Sequence, residues 1–246
     1  MMSLFKSVEG IILSKVPCRE KDLIANLLLR SGHRIGVLFY GGRVGKQAAL
    51  LEVGNMLKLQ VRRSKSRADD GLYSANEWSV IWRYRHIRNN YRAYYTLCFY
   101  VEIISKLSTE ENLFAFSSAN NERDSSNVTS ADAGIFRVFS NAVFYLEDAT
   151  TKSATPDFVQ ALTLFLCKLL YEAGIAPSSP KSEASGENTY RILTRVKDLK
   201  YSDYRLLDYE NTTGAFYELY NYLCHHCHWH KHSIKSFALI DQDILQ

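Results

Sequence analysis

Five short apolar runs crowd the first 82 residues, and they restrict the fold more than any other feature of the chain. They are residues 4–16 (LFKSVEGIILSKV), 23–30 (LIANLLLR), 35–40 (IGVLFY), 56–61 (MLKLQV) and 71–82 (GLYSANEWSVIW). Each has the length of a strand, and turn-forming residues separate them: Pro17, Ser31-Gly32, Gly41-Gly42 and Asp70-Gly71. No amphipathic stretch of helix length intervenes. Such a series predicts a small closed β-barrel. In the fourth run Leu57, Leu59 and Val61 alternate with Lys58, Gln60 and Arg62, so the cations are expected on the outward face.

The pattern changes after Trp82. Residues 91–107 place Tyr94, Leu97, Cys98, Val101, Ile104 and Lys106 near helical spacing, all but the Lys apolar. Residues 134–148, 156–173 and 213–229 read as further helices. For the second of these, Thr155 is the expected N-cap, Pro156 the first helical residue and Gly174 the stop. Ser233 is a candidate cap for one more short helix. Polar stretches near 117–133 and 176–189 read as loops or insertions. The expected organisation is therefore α+β, with a barrel domain over 1–83 and an all-helical domain over 84–246.

Charge divides along the same line. Residues 1–90 hold 16 Lys and Arg against 7 Asp and Glu, a net of +9, within a chain whose formal net charge is only +4. A basic first half on a mildly acidic second half points to a polyanionic partner for the barrel. No run of about eighteen apolar residues occurs, so no membrane span is expected. The N-terminal MMSLFKSVEG lacks the pattern of a secretory leader. Five scattered cysteines do not make a disulfide framework, which fits a reduced cytoplasmic protein.

Several segments carry candidate chemistry. Gly41-Gly42-Arg43-Val44-Gly45-Lys46 offers two cations beside glycines, read either as a contact to a phosphate backbone or as a plain hairpin turn. It is not a P-loop, because the spacing is wrong and no Ser or Thr follows Lys46. Residues 62–67 (RRSKSR) place Arg62, Arg63, Lys65 and Arg67 in one run that can neutralise several phosphates. Tyr73, Trp78 and Trp82 follow, either as core residues or as faces on which bases stack. Arg83, Arg85, His86, Arg88 and Arg92 either extend the basic track or pair with acids of the second half.

The tail run Cys224-His225-His226-Cys227-His228-Trp229-His230-Lys231-His232 holds half of a zinc motif without its second pair. On a helix, Cys224 and His228 would share a face. The competing reading is a helix end with buried thiols and with histidines at the negative pole. No metal or other cofactor is expected. Gly-x-Ser-x-Gly, His-Glu-x-x-His and Gly-x-Gly-x-x-Gly are all absent, and acidic pairs such as Glu110-Glu111 fall in loops. The expectation is a protein without catalytic residues.

The order of these features resembles the RecO family of bacterial recombination mediators. The resemblance is carried by VEGIILSKVPCREKDLIANLLLRSGHRIGVLFYGGRVGK, then YSANEW, CFYVEIISKL, LFLCKLLYEAGIAP and HSIKSFALI. Within it, Asp22-Leu23, Gly32 to Arg34, Gly42-Arg43, Tyr100, Glu102, Leu107 and Lys235-Ser236 occupy the motif positions. The resemblance implies an OB-fold followed by a helical domain. It implies binding of single- and double-stranded DNA, strand annealing, and recombinase loading in DNA repair. It also implies RecR and the C-terminal peptide of single-strand binding protein as partners, in the cytoplasm at the nucleoid. The four-cysteine module that many members carry after the turn matching Ala173 to Pro177 is missing here. The DNA-contacting residues expected on this basis are Arg19, Arg34, Arg43, Lys46, Arg62, Arg63, Lys65 and Arg67. The alternative function is a protein-docking adaptor of the repair machinery with little DNA binding of its own. A metal-dependent enzyme built on the tail cluster is a third reading.

Overall fold

The structure, a computed structural model, describes residues 5–63, 72–110, 113, 130–152, 157–179, 186–196 and 212–245. The protein is α+β. Five strands come first: β1 (Lys6–Cys18), β2 (Asp22–Leu29), β3 (Arg34–Phe39), β4 (Met56–Arg63) and β5 (Tyr73–Trp82), with a four-residue helix α1 (Gly45–Ala48) after β3. Helices follow: α2 (Tyr91–Leu107), α3 (Ser130–Lys152), α4 (Phe158–Glu172), α5 (Gly186–Val196), α6 (Thr212–His226) and α7 (Lys235–Asp243).

The strands pair in the order β1-β2-β3-β5-β4 and close into a barrel. Closure depends on β1, which serves two neighbours. Lys6 to Ile11 pair with β4, while Gly10 to Cys18 pair with β2, with a bulge between Ile12 and Ser14. Gly10 sits where the two ladders overlap, opposite both Leu29 and Leu57. A Cβ there would meet the Leu28 carbonyl oxygen at 2.9 Å, so the crossing needs glycine. The inward positions alternate as the pleat demands: Leu23, Ala25, Leu27 and Leu29 from β2, Ile35, Val37 and Phe39 from β3, and Leu57, Leu59 and Val61 from β4.

The chain divides into two compact units. One is Met1–Tyr84 with Ile104–Phe136, and the other is Arg85–Ile103 with Arg137–Gln246. A single cut after residue 83 misses the second segment of the first unit. The reason is Leu113, which lies in the barrel core. Its N–H donates to the Tyr73 hydroxyl (2.7 Å), and its carbonyl accepts from Lys6 Nζ. Upstream, the Arg34 N–H donates to the Thr109 carbonyl at 2.7 Å.

In the second unit α6 packs on α4 and α5. Phe99, Phe216, Tyr220 and Phe237 gather there, with the Tyr220 and Phe237 rings stacked 4.4 Å apart. Three sequence expectations change. The N-cap of α4 is Asp157, which accepts from the Gln160 N–H, while Thr155 and Pro156 lie outside the described residues. Ser233 does not cap α7. Instead the Glu102 carboxylate on α2 accepts from the Lys235 N–H (2.8 Å), the Ser236 N–H (2.9 Å) and the Ser236 hydroxyl (2.7 Å). Finally, α5 begins inside the stretch read as a polar insertion and buries Thr189, Leu193 and Val196.

Candidate nucleic-acid interface

The register around the barrel brings distant basic residues to one end. Leu23 of β2 lies opposite Phe39 of β3. Next to it, Leu38 of β3 pairs with Ser74 of β5, and Ser74 pairs with Arg62 of β4. With strands about 4.8 Å apart, Arg62 stands two strands, or roughly 10 Å, from Leu38. Arg63 follows, opposite Tyr73. The β1–β2 turn holding Arg19 and Lys21 leaves this same end, since Cys18 pairs with Asp22. Arg43 and Lys46 come from the loop and α1 that follow Phe39. Glu20 and Asp22 are the acids of that turn, and Asp22 is engaged by the Gly41 N–H at 2.8 Å and by Arg19 at 3.7 Å.

Arg34 does not belong to this cluster. It begins β3, opposite Leu28, about 13 Å along the strand from Leu38. Its guanidinium approaches Glu110 at 3.8 Å, and its Nε is buried without a partner. Lys65 and Arg67 lie outside the described residues. Lys21, an exposed member of the basic end, escaped the sequence reading, because a lone Lys beside Glu20 and Asp22 carries no local signal.

The backbone of the glycine loop forms a turn. The N–H groups of Gly42, Arg43 and Val44 donate to the carbonyls of Phe39, Lys21 and Gly41, and Gly41 donates to Asp22. Four successive amides are thus spent inside the protein, so they form no anion cradle. A Cβ on Gly42 would meet Phe39 Cβ at 2.9 Å, Leu23 Cβ at 3.0 Å and Leu51 Cδ1 at 3.1 Å, so the glycine lets the loop lie on the core. Arg43 reaches back with Nη1 to the carbonyls of Arg19 and Glu20, both at 3.2 Å. It fixes the β1–β2 turn while leaving its guanidinium exposed. Arg62 is partly engaged, with Nε donating to Ser74 Oγ at 3.2 Å.

The strand aromatics are mostly structural. Tyr73 is buried and accepts from Leu113, and Trp78 packs edge-on against Phe39 at 5.6 Å. A shallow depression of about 260 Å³ on β4 and β5 is lined by Ser7, Lys58, Leu59, Gln60, Glu77, Trp78 and Ser79. Glu77 offsets Lys58 there, and charge does not converge.

In the second unit Glu147 collects the N–H groups of Arg85 (2.7 Å), His86 (3.0 Å) and Ile87 (3.0 Å), together with His86 Nδ1 (2.9 Å). Burial pushes its pKa up. The three amides and the imidazole pull it down further, and the net shift is downward. The basic segment after Trp82 thus meets an acid mainly through its backbone and His86.

In the tail run the helix stops before the expected face can form. Helix α6 ends at His226, and His228 takes a left-handed conformation (φ 54°), so it does not share a helical face with Cys224. The Trp229 N–H caps the helix on the Cys224 carbonyl at 2.8 Å. Cys224 is buried, and His225 and His226 are exposed in the last turn, with His226 against Tyr222. Among the described residues no three His, Cys, Asp or Glu side chains gather as a metal site. Nor is any described helix long and apolar enough to cross a membrane.

Compared with known proteins, the sequence matches no family model and no curated protein.

Proposed function

We propose that this protein is a non-catalytic DNA-binding factor of recombination repair that anneals complementary strands. In this reading the barrel is an OB-fold, and its basic end grips the phosphate backbone. The observation that carries the proposal is the register that gathers Arg19, Lys21, Arg43, Arg62 and Arg63 from three separate chain segments. A five-stranded barrel that uses its 1–2 and 4–5 connections for ligands is the mode by which OB-folds hold oligonucleotides. Here those connections are the Arg19 turn and the segment after Arg63. The resemblance to RecO, carried by the residues quoted above, supplies the more specific job. It adds RecR, the C-terminal peptide of single-strand binding protein and a nucleoid location as proposed partners and place.

Annealing needs no nucleophile. Cations screen the repulsion of two strands while their bases stay open to pair. The test is fluorescence-monitored annealing of complementary strands coated with single-strand binding protein. Wild-type chain is expected to speed it. Charge reversal at Arg62, Arg63 and Lys65 is expected to weaken DNA binding at least tenfold. The same change should lower the salt slope by about 2, at roughly 0.7 for each phosphate that is no longer neutralised. No DNA binding by the full chain at low salt would instead favour the adaptor reading.

A further inference from the structure

The helix that opens the second unit presents aromatic rings to solvent. Tyr91 and Tyr94 are 56% and 43% exposed, although the sequence pattern groups Tyr94 with the apolar positions of α2. Three residues apart on a helix, they lie on one side of it. Arg92 rests its guanidinium 5.8 Å from the Tyr91 ring centroid and donates through Nε to the Tyr91 hydroxyl. Tyr95 supports the same ring edge-on at 5.8 Å, which fixes its orientation. Arg85 and Arg88 are exposed just before the helix. From Arg83 to Val101 the chain has no Asp or Glu. Among the described residues Glu147 reaches this segment, and its oxygens are taken by three amides and His86.

Two exposed phenol rings, one of them under the Arg92 guanidinium, thus stand in a segment that also exposes Arg85. The combination does suit one ligand. Single-stranded DNA offers π-faces to the tyrosines and phosphates to the arginines, and both parts of the patch are then used. Double-stranded DNA offers the phosphates alone. We infer that Tyr91 and Tyr94, with Arg85 and Arg92, form a second single-strand contact on the helical unit, one that works by base stacking. The inference deepens the nucleic-acid reading of the barrel and rests on it.

Two measurements on the full chain test it with an oligodeoxythymidylate probe. The first compares Tyr91→Ala/Tyr94→Ala and Tyr91→Phe/Tyr94→Phe with wild type. The alanine pair is expected to bind about tenfold or more weakly with the salt slope unchanged, and the phenylalanine pair to bind as wild type, because stacking needs the ring and not the hydroxyl. Arg85→Ala/Arg92→Ala is expected to lower the slope by about 1 instead. The second irradiates wild-type chain with a bromodeoxyuridine oligonucleotide, and adducts are expected within residues 89–106. If the alanine pair binds like wild type and adducts fall only in the barrel, the inference is overturned and the patch becomes a surface for a protein partner. The barrel reading then still stands. If wild-type chain takes up no oligonucleotide at low salt, both fall together.

Discussion

Gly42 illustrates how a residue that looks functional proves structural. In the sequence it belongs to a glycine-rich loop with flanking cations. In the fold its missing Cβ is what lets the loop close on Phe39, Leu23 and Leu51. Gly42→Ala is expected to cost about 1–3 kcal/mol by forcing those side chains apart, measured by urea unfolding. DNA affinity, read under folded conditions, should not follow. Arg43 is different, because one guanidinium both ties the β1–β2 turn and faces solvent. Its double use was hidden in the sequence, since the carbonyls it binds lie 23 and 24 residues away.

At the level of elements, two carboxylates organise the helical unit. Glu102 holds the start of α7, and Glu147 holds the short turn before α2. Glu102→Gln is expected to destabilise by about 1–3 kcal/mol, since it weakens three hydrogen bonds to a charged acceptor. Ser236→Ala, which removes one of them, should cost less in the same unfolding assay. Glu147 predicts a pH dependence. Its folded pKa lies below the ordinary value of 4.5, so its contribution is present above that value and disappears as pH falls through the folded pKa. The stability gap between wild type and Glu147→Gln should therefore narrow below about pH 4.5 in a denaturation series. The strands and the long helices were legible because period 2 and period 3.6 are local signals. The span of α2, Tyr91–Leu107, reads directly from the sequence. The carboxylate caps were not, because Glu102 meets Ser236 across 134 residues. Helix α5 was hidden by the Gly, Asn and Thr at its start, although Leu193 and Val196 give it a buried side.

For the whole molecule, the barrel is not a contiguous stretch of chain. Its core is completed by Leu113, and its β3–β5 seam is a parallel pair in which only Val37–Tyr73 and Leu38–Ser74 are in register. Residues 1–84 expressed alone should unfold at lower urea than the barrel does in the full chain. Leu113→Ala in the full chain should reproduce part of that destabilisation, about 2–3 kcal/mol for a buried Leu at a core edge. Amide hydrogen exchange should open the β3–β5 seam before the long β1–β2 ladder. The candidate site was legible only in pieces. Arg43 and Arg62 were visible as basic residues, but that they share an end while Arg34 does not follows from register alone. The Glu102 contact has one more consequence, for the order of events during synthesis. Helix α7 leaves the ribosome more than a hundred residues after α2, so Glu102 waits without its partner amides while α3 to α6 are made. The helical unit is finished late, and until α7 emerges Glu102 holds none of the amides it later caps.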